Sequence, residues 1–281
     1  METVNSSITI LLKEKLKSIE DKTNADVLVY FGPIIDGIEV PFAEIIESLK
    51  ERGTGHSTLL IMLETNGGSI VAVERFVTII RHHYSEVKFV VPDCAYSAGT
   101  IFCMSGDDIW MDYFSVLGPI DPQVPNKDRR YVPALGYLDK VRELIEKSRQ
   151  GILTSAELIM LKDMDLAELR RYEQVSELTV TLLEKWLVTY KFKDWNKHKN
   201  GDPVTEKEKS DRAKSIAKEL GDNKKWKAHG RPIDVKALRE LKLKITDLST
   251  QEARTDIREF HKLYRDYTRG QDPSFPKIFT V

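Results

Sequence analysis

Ser97 stands in Ala95-Tyr96-Ser97-Ala98-Gly99-Thr100, a serine among small residues just after the apolar run Val87–Val91 and its stop at Pro92. A nucleophilic serine needs this setting, because small neighbours admit a substrate and the next N–H can face an oxyanion. The same segment also suits a plain helix N-cap. About thirty residues earlier, Glu64-Thr65-Asn66-Gly67-Gly68-Ser69 follows the apolar run Leu59–Leu63. Adjacent glycines let the backbone turn sharply and leave N–H groups free of a Cβ. At a helix start such groups stabilise developing negative charge. A tight turn closed by a cap is the structural alternative.

Elements on either side must position these turns. Ile8, Leu11, Leu12, Leu16 and Ile19 fall at helical spacing, as do Phe42, Ile45, Ile46 and Leu49. Val27–Phe31, Leu59–Leu63, Val87–Val91 and Asp108–Met111 read as strands, and Ser69 caps a helix running to about His83. Strands alternating with helices predict an α/β fold of parallel βαβ units. Consecutive parallel strands would bring both glycine turns to one sheet end, where such folds bind ligands.

After about Pro133 the chain turns helical, with a long helix predicted over Leu166–Tyr190. Residues 191–230 hold twelve Lys/Arg against seven Asp/Glu and read as a hydrophilic insertion, part loop and part helix. A helix at Val235–Leu241, a strand at Leu243–Ile245 and a charged helix at Glu252–Tyr267 close the chain. The division expected is residues 1–132 as the α/β core and 133–281 as a helical region, with the insertion at 191–230 and a return to the core.

Bulk composition excludes several classes. With 43 basic and 44 acidic residues in 281, the net charge is −1, so no global field draws the chain to nucleic acid or membrane. No segment approaches the roughly 20 apolar residues of a membrane span. The N-terminus lacks a basic region before an apolar run, so a cytoplasmic protein is expected. The two cysteines, Cys94 and Cys103, read as reduced thiols. No CxxC, HExxH or clustered carboxylate pattern points to a metal, and no cofactor is expected.

Four motifs in order, Thr65–Ile70 (TNGGSI), Tyr96–Thr100 (YSAGT), Leu117–Gln123 (LGPIDPQ) and Trp226–Ile233 (WKAHGRPI), resemble the Clp proteolytic subunit and signal peptide peptidase A group. Within it the chain most resembles the serine dehydrogenase proteinase family. The resemblance implies a Clp-protease/crotonase-like spiral of βαβ units with a mostly helical C-terminal half, and a serine peptidase acting on peptide or protein substrates. It implies Ser97 as nucleophile and the N–H groups of Gly68 and Ala98 as the oxyanion hole, with Gly67 permitting the turn. It also implies a homo-oligomer, with the Leu166–Tyr190 helix as a source of contact area.

The general base departs from the pattern. Where Clp subunits carry a histidine some two dozen residues after the serine, this chain has Asp121; near where their aspartate falls stands His229. A triad of Ser97, His229 and Asp121 is physically permissible, because triads are defined by geometry and roles, not chain order. An ordinary histidine pKa near ~6.5 suits a base at neutral pH. The bland alternatives are that Asp121 fixes a turn and that His229 packs against Trp226. Signal peptide peptidases use a lysine instead, which makes Lys140 the alternative base, although its run Asp139-Lys140-Val141-Arg142-Glu143 reads as a solvated helix face. Lys147 lies two turns further on. His82, His83, His56, His198 and His261 suggest no role.

Three other functions compete. An inactive scaffold would keep the fold without catalysis. A crotonase-type acyl-CoA enzyme would share the oxyanion hole but need no serine. Single-stranded nucleic acid would suit Phe192, Trp195 and Trp226 set among basic residues, although acidic residues interrupt that segment.

Overall fold

A computed structural model describes residues 2–121, 123–125 and 131–281. The chain opens with α1 (Glu2–Thr23), β1 (Asp26–Phe31), α2 (Glu39–Glu51), β2 (Thr58–Glu64), α3 (Ile70–His83) and β3 (Glu86–Val91). Next come β4 (Cys94–Ala95), α4 (Ala98–Met104), β5 (Asp108–Met111), β6 (Val116–Leu117), β7 (Gln123–Pro125) and β8 (Tyr131–Pro133). Helices α5 (Ala134–Arg149), α6 (Ser155–Lys162), α7 (Leu166–Trp186), α8 (Glu206–Leu220) and α9 (Asn223–Trp226) follow, with a π-helical turn at Leu187–Lys191. The chain closes with β9 (Ile233–Asp234), α10 (Val235–Glu240), β10 (Thr246–Asp247), α11 (Arg254–Thr268) and β11 (Lys277–Phe279).

The main sheet runs β10-β5-β3-β2-β1-β11. All neighbours are parallel except the β1–β11 edge. Every residue of β1 and six of seven in β2 are buried, so these strands read as unbroken apolar runs rather than alternating ones. Alternate residues still face different layers. Leu28, Tyr30, Ile61 and Leu63 join α2 and α3 through Phe42, Ile46, Val73 and Phe76. Val27, Val29, Leu60 and Met62 instead meet Leu12, Leu16 and Ile19 of α1 and Ile257, Phe260 and Tyr264 of α11. Each such fully buried side chain contributes about 1.5–3 kcal/mol over exposure.

The fold is therefore the expected α/β arrangement of parallel βαβ units with a mostly helical C-terminal half. Two details differ from the sequence reading. The strand expected at Leu243–Ile245 forms at Thr246–Asp247, because Leu243 and Ile245 are spent as buried core side chains leading into it. The helix expected to reach Tyr190 is α-helical to Trp186 and π-helical beyond, a change that apolar spacing of three and four does not reveal. The stripe on α7 (Leu182, Leu183, Trp186) packs into this chain's own core, so it supplies little free contact area. Within residues 191–230, α8 buries Ala213, Ile216, Ala217 and Leu220 in the same core.

Candidate functional site

Two turns leave the sheet side by side. Thr65 N–H donates to the Cys94 carbonyl at 3.0 Å, and Tyr96 N–H donates to the Thr65 carbonyl at 2.9 Å. The glycine turn is pinned from beyond by the Ile34 loop: Ile34 N–H donates to Gly67 O at 2.9 Å, and Ser69 N–H donates to Ile34 O at 2.8 Å. Gly67 N–H is taken by the Thr65 hydroxyl at 3.0 Å. Gly68 N–H, between them, has no acceptor among the described residues. Both glycines have positive φ, 104° and 144°. A Cβ on Gly68 would stand 1.9 Å from Ile34 O, and one on Gly67 would stand 2.8 Å from Cβ of Ser97. Only glycine fits either place.

Two serines at helix starts, Ser69 and Ser97, contrast sharply. Ser69 is a true N-cap, with φ −76° and ψ 121°, and its side chain accepts from Ala72 N–H. Ser97 has φ 53° and ψ −118°, makes no cap bond, and its hydroxyl has no hydrogen-bond partner among the described residues. A non-glycine residue there costs on the order of 1–3 kcal/mol, and such strain persists only where the surroundings enforce it. The cap reading of Ser97 therefore fails on geometry. Ala98 N–H, like Gly68 N–H, has no acceptor among the described residues. The site thus offers a free hydroxyl and two free backbone donors on adjoining turns.

A second, three-stranded sheet carries the remaining candidates in the order β4-β6-β9. β4 and β6 are parallel, and β9 runs antiparallel to β6. Ser97 lies two residues beyond the end of β4, Asp121 four beyond β6, and His229 four before β9. All three consequently fall at one end of this sheet. The loop after β6 is locked to the nucleophile turn by the Thr100 hydroxyl, whose one proton lies between the Ala95 and Gly118 carbonyls, with oxygen distances of 2.8 and 2.9 Å, and which accepts from Gly118 N–H at 3.0 Å. A Cβ on Gly118 would meet the Tyr96 ring at 2.3 Å, which explains the glycine in the third motif. Pro122 of that motif lies outside the described residues.

Asp121 Oδ1 and His229 Nδ1 lie 2.9 Å apart, with side chains 4% and 16% exposed. A carboxylate only accepts, so Nδ1 carries a proton in this contact; in a neutral ring Nε2 is then the nitrogen with the lone pair. Both residues line a cleft of about 550 Å³ together with Lys140, Glu143 and Trp226. Ser97 does not line that cleft, and no hydrogen bond joins it to His229. Lys140 is 54% exposed and paired with Glu143 at 3.0 Å, a solvated ion pair on the face of α5. Lys147 is engaged by Glu143 and Glu157.

Phe192 and Trp226 are buried, which removes two of the three rings proposed for base stacking. Cys94 and Cys103 are free thiols, raised to about 12, chiefly by burial. Among the described residues no group of three His, Cys, Asp or Glu side chains is arranged to hold a metal, and no helix is long and apolar enough to cross a membrane. Sequence reasoning missed the Ile34 loop, the Thr65 hydroxyl and His261, which contacts Glu64 at the root of the glycine turn. Thr65 was visible in its motif; the other two carry no sequence signal.

Two uncharacterized proteins of Methanocaldococcus jannaschii are similar in sequence. One is 27% identical over 221 residues, which span 78% of this chain and 63% of its own length. The other is 28% identical over 119 residues, 39% of this chain and 42% of its own. The chain thus spans less than two thirds of either relative. Among solved structures, a variant of the membrane-bound stomatin-specific protease 1510-N aligns over 78% of this chain and 77% of its own, at 13% identity and TM-score 0.45. A ClpP1 variant from Listeria monocytogenes aligns over 57% and 81%, at 14% identity and TM-score 0.32. The sequence profile of the ClpP-like SDH-type serine proteinases matches residues 24–275, a span that takes in both turns, Asp121 and His229, and the chain belongs to that family.

Proposed function

We propose that this protein is a serine peptidase that cleaves peptide bonds through an acyl-enzyme on Ser97. The observation that carries the reading is the strained backbone of Ser97, with its unbonded hydroxyl, set against the Gly67-Gly68 turn. Ser97 Oγ attacks the scissile carbonyl, and its proton passes to His229 Nε2. Gly68 N–H and Ala98 N–H receive the oxyanion. His229 then protonates the leaving amine, and water releases the acyl group by the reverse route. Asp121 fixes the imidazole and stabilises its charged form. The hydrogen bond between Asp121 and His229 supports this assignment.

A Ser–Lys dyad using Lys140 is the second reading, favoured by one fact: Lys140 lines the same cleft as His229. For self-association, Leu158, Ile159 and Met160 of α6 are exposed at 45%, 68% and 59%, and no residue of that helix is buried. They support a homo-oligomer built on α6 rather than α7, and light scattering at micromolar concentration would check it. The central test is covalent labelling by a serine-directed fluorophosphonate. Labelling of the wild type and none of Ser97→Ala is the expected result; an unlabelled wild type would favour the scaffold.

A further inference from the structure

The C-terminal helix reaches the roots of both turns. Glu64 ends β2, three residues before Gly67, and its carboxylate is in direct contact with His261 Nε2. Asp93 precedes β4, four residues before Ser97, and its carboxylate accepts from Arg265 Nη1 at 3.1 Å. Arg265 Nε also lies 3.9 Å from Glu64 Oε1. One guanidinium therefore spans two acids, each at the base of a different turn, as a planar fork with several donors permits. His261 and Arg265 are four residues apart and so share a face of α11. Their helix is itself fixed, because Ile257, Phe260 and Tyr264 are buried against the sheet. The Phe31 ring, at the end of β1, packs edge-on to His261 with centroids 5.5 Å apart.

We propose that His261 and Arg265 are positioning residues, a clamp that holds the Gly67-Gly68 turn and the Ser97 turn in mutual register. The inference rests on the peptidase reading of those turns. Backbone bonds between Thr65, Cys94 and Tyr96 join the turns at one level, and the clamp ties them to a third element one step nearer the sheet. Register matters because donors must meet the oxyanion where the serine creates it, and a displacement of about 1 Å costs about 100-fold in rate. Arg265 is 53% exposed, and its ion pairs add little to global stability. Function and stability should therefore separate.

The test compares His261→Leu, His261→Gln, Arg265→Ala and Arg265→Lys with the wild type. It reads kcat and KM on a peptide ester, phosphonate labelling, melting temperature, and amide exchange in the peptides holding residues 65–68 and 96–99. In His261→Leu and Arg265→Ala, kcat falls by about 10–100-fold with KM unchanged and little loss of melting temperature, and exchange rises in both turns together. His261→Gln keeps a donor and restores most activity. Arg265→Lys, a point charge that cannot fork, restores part. Exchange unchanged in both turns, or a kcat loss that merely follows the fall in melting temperature, would overturn the clamp. An unlabelled wild type whose variants still loosen both turns would defeat the peptidase reading and leave the clamp standing.

Discussion

Asp121 and His229 are 108 residues apart in the chain, yet their side chains meet at 2.9 Å. The sheet β4-β6-β9 explains the meeting, because β6 delivers Asp121 outward at the same end where the chain returns to enter β9. A hydrogen bond of the kind that would orient an imidazole base is therefore present between them.

That pairing gives the first prediction. Asp121→Asn should lower kcat by on the order of 10⁴, because an amide donor at this place stabilises the wrong tautomer. His229→Ala should remove activity, whereas Lys140→Ala, a solvated side chain, should keep most of it. Steady-state kinetics on a peptide ester checks all three. An active His229→Ala beside a dead Lys140→Ala would reverse the assignment of the base.

Ser97 is predicted to trade stability for activity. Ser97→Gly relieves the positive φ and should raise stability, by up to about 1 kcal/mol in urea titration after glycine's own entropic cost. Ser97→Ala keeps the strained backbone and should leave stability near the wild type. Both should be silent toward a phosphonate. A destabilised Ser97→Gly would mean that the unusual backbone carries no strain.

Gly67→Ala should be harmful twice over. Its Cβ would fall 2.8 Å from Cβ of Ser97 and 2.9 Å from Tyr96 O, both set by backbone rather than by a flexible tip. Loss of about 1–3 kcal/mol is expected from the φ alone. Phosphonate labelling should fall further than unfolding explains, since the nucleophile itself is displaced. A variant that melts lower but labels at the wild-type rate would make the turn purely structural.

Legibility in the sequence followed the physics of each signal. The strands could be read because burial on both faces leaves continuous apolar runs, as in Leu59–Leu63. Gly67, Gly68 and Ser97 could be read because close approach demands small residues in a short segment. The grip of His261 on Glu64 could not, because 197 residues separate them and nothing local marks either partner. α11 reads as a charged helix, yet its narrow stripe of Ile257, Phe260 and Tyr264 shares the covering of one side of the sheet with α1. Lys191 looked like one more member of a basic, solvated stretch; instead the π-helical turn ends there with its ammonium enclosed.

The last prediction concerns that ammonium. Lys191 Nζ is buried and has no hydrogen-bond partner among the described residues. Burial pushes its pKa down from 10.5 to about 8, against the opposing pull of Asp108, the Cys103 thiol and Asp107; Arg81 adds to the lowering. Between about pH 8 and 10.5 the unfolded chain therefore holds a proton that the folded chain has released. Unfolding then takes up a proton, so this group makes stability rise with pH across that window. Below it, both states are charged and the folded state bears the full desolvation cost. Lys191→Met keeps the bulk and removes the charge, so it should be more stable than the wild type at pH 7, with the gap narrowing as pH approaches 10.5. Urea titrations of both proteins at pH 7, 9 and 10.5 would read the difference directly. A Lys191→Met variant less stable at pH 7, or a gap independent of pH, would show that the ammonium is satisfied in the folded protein after all.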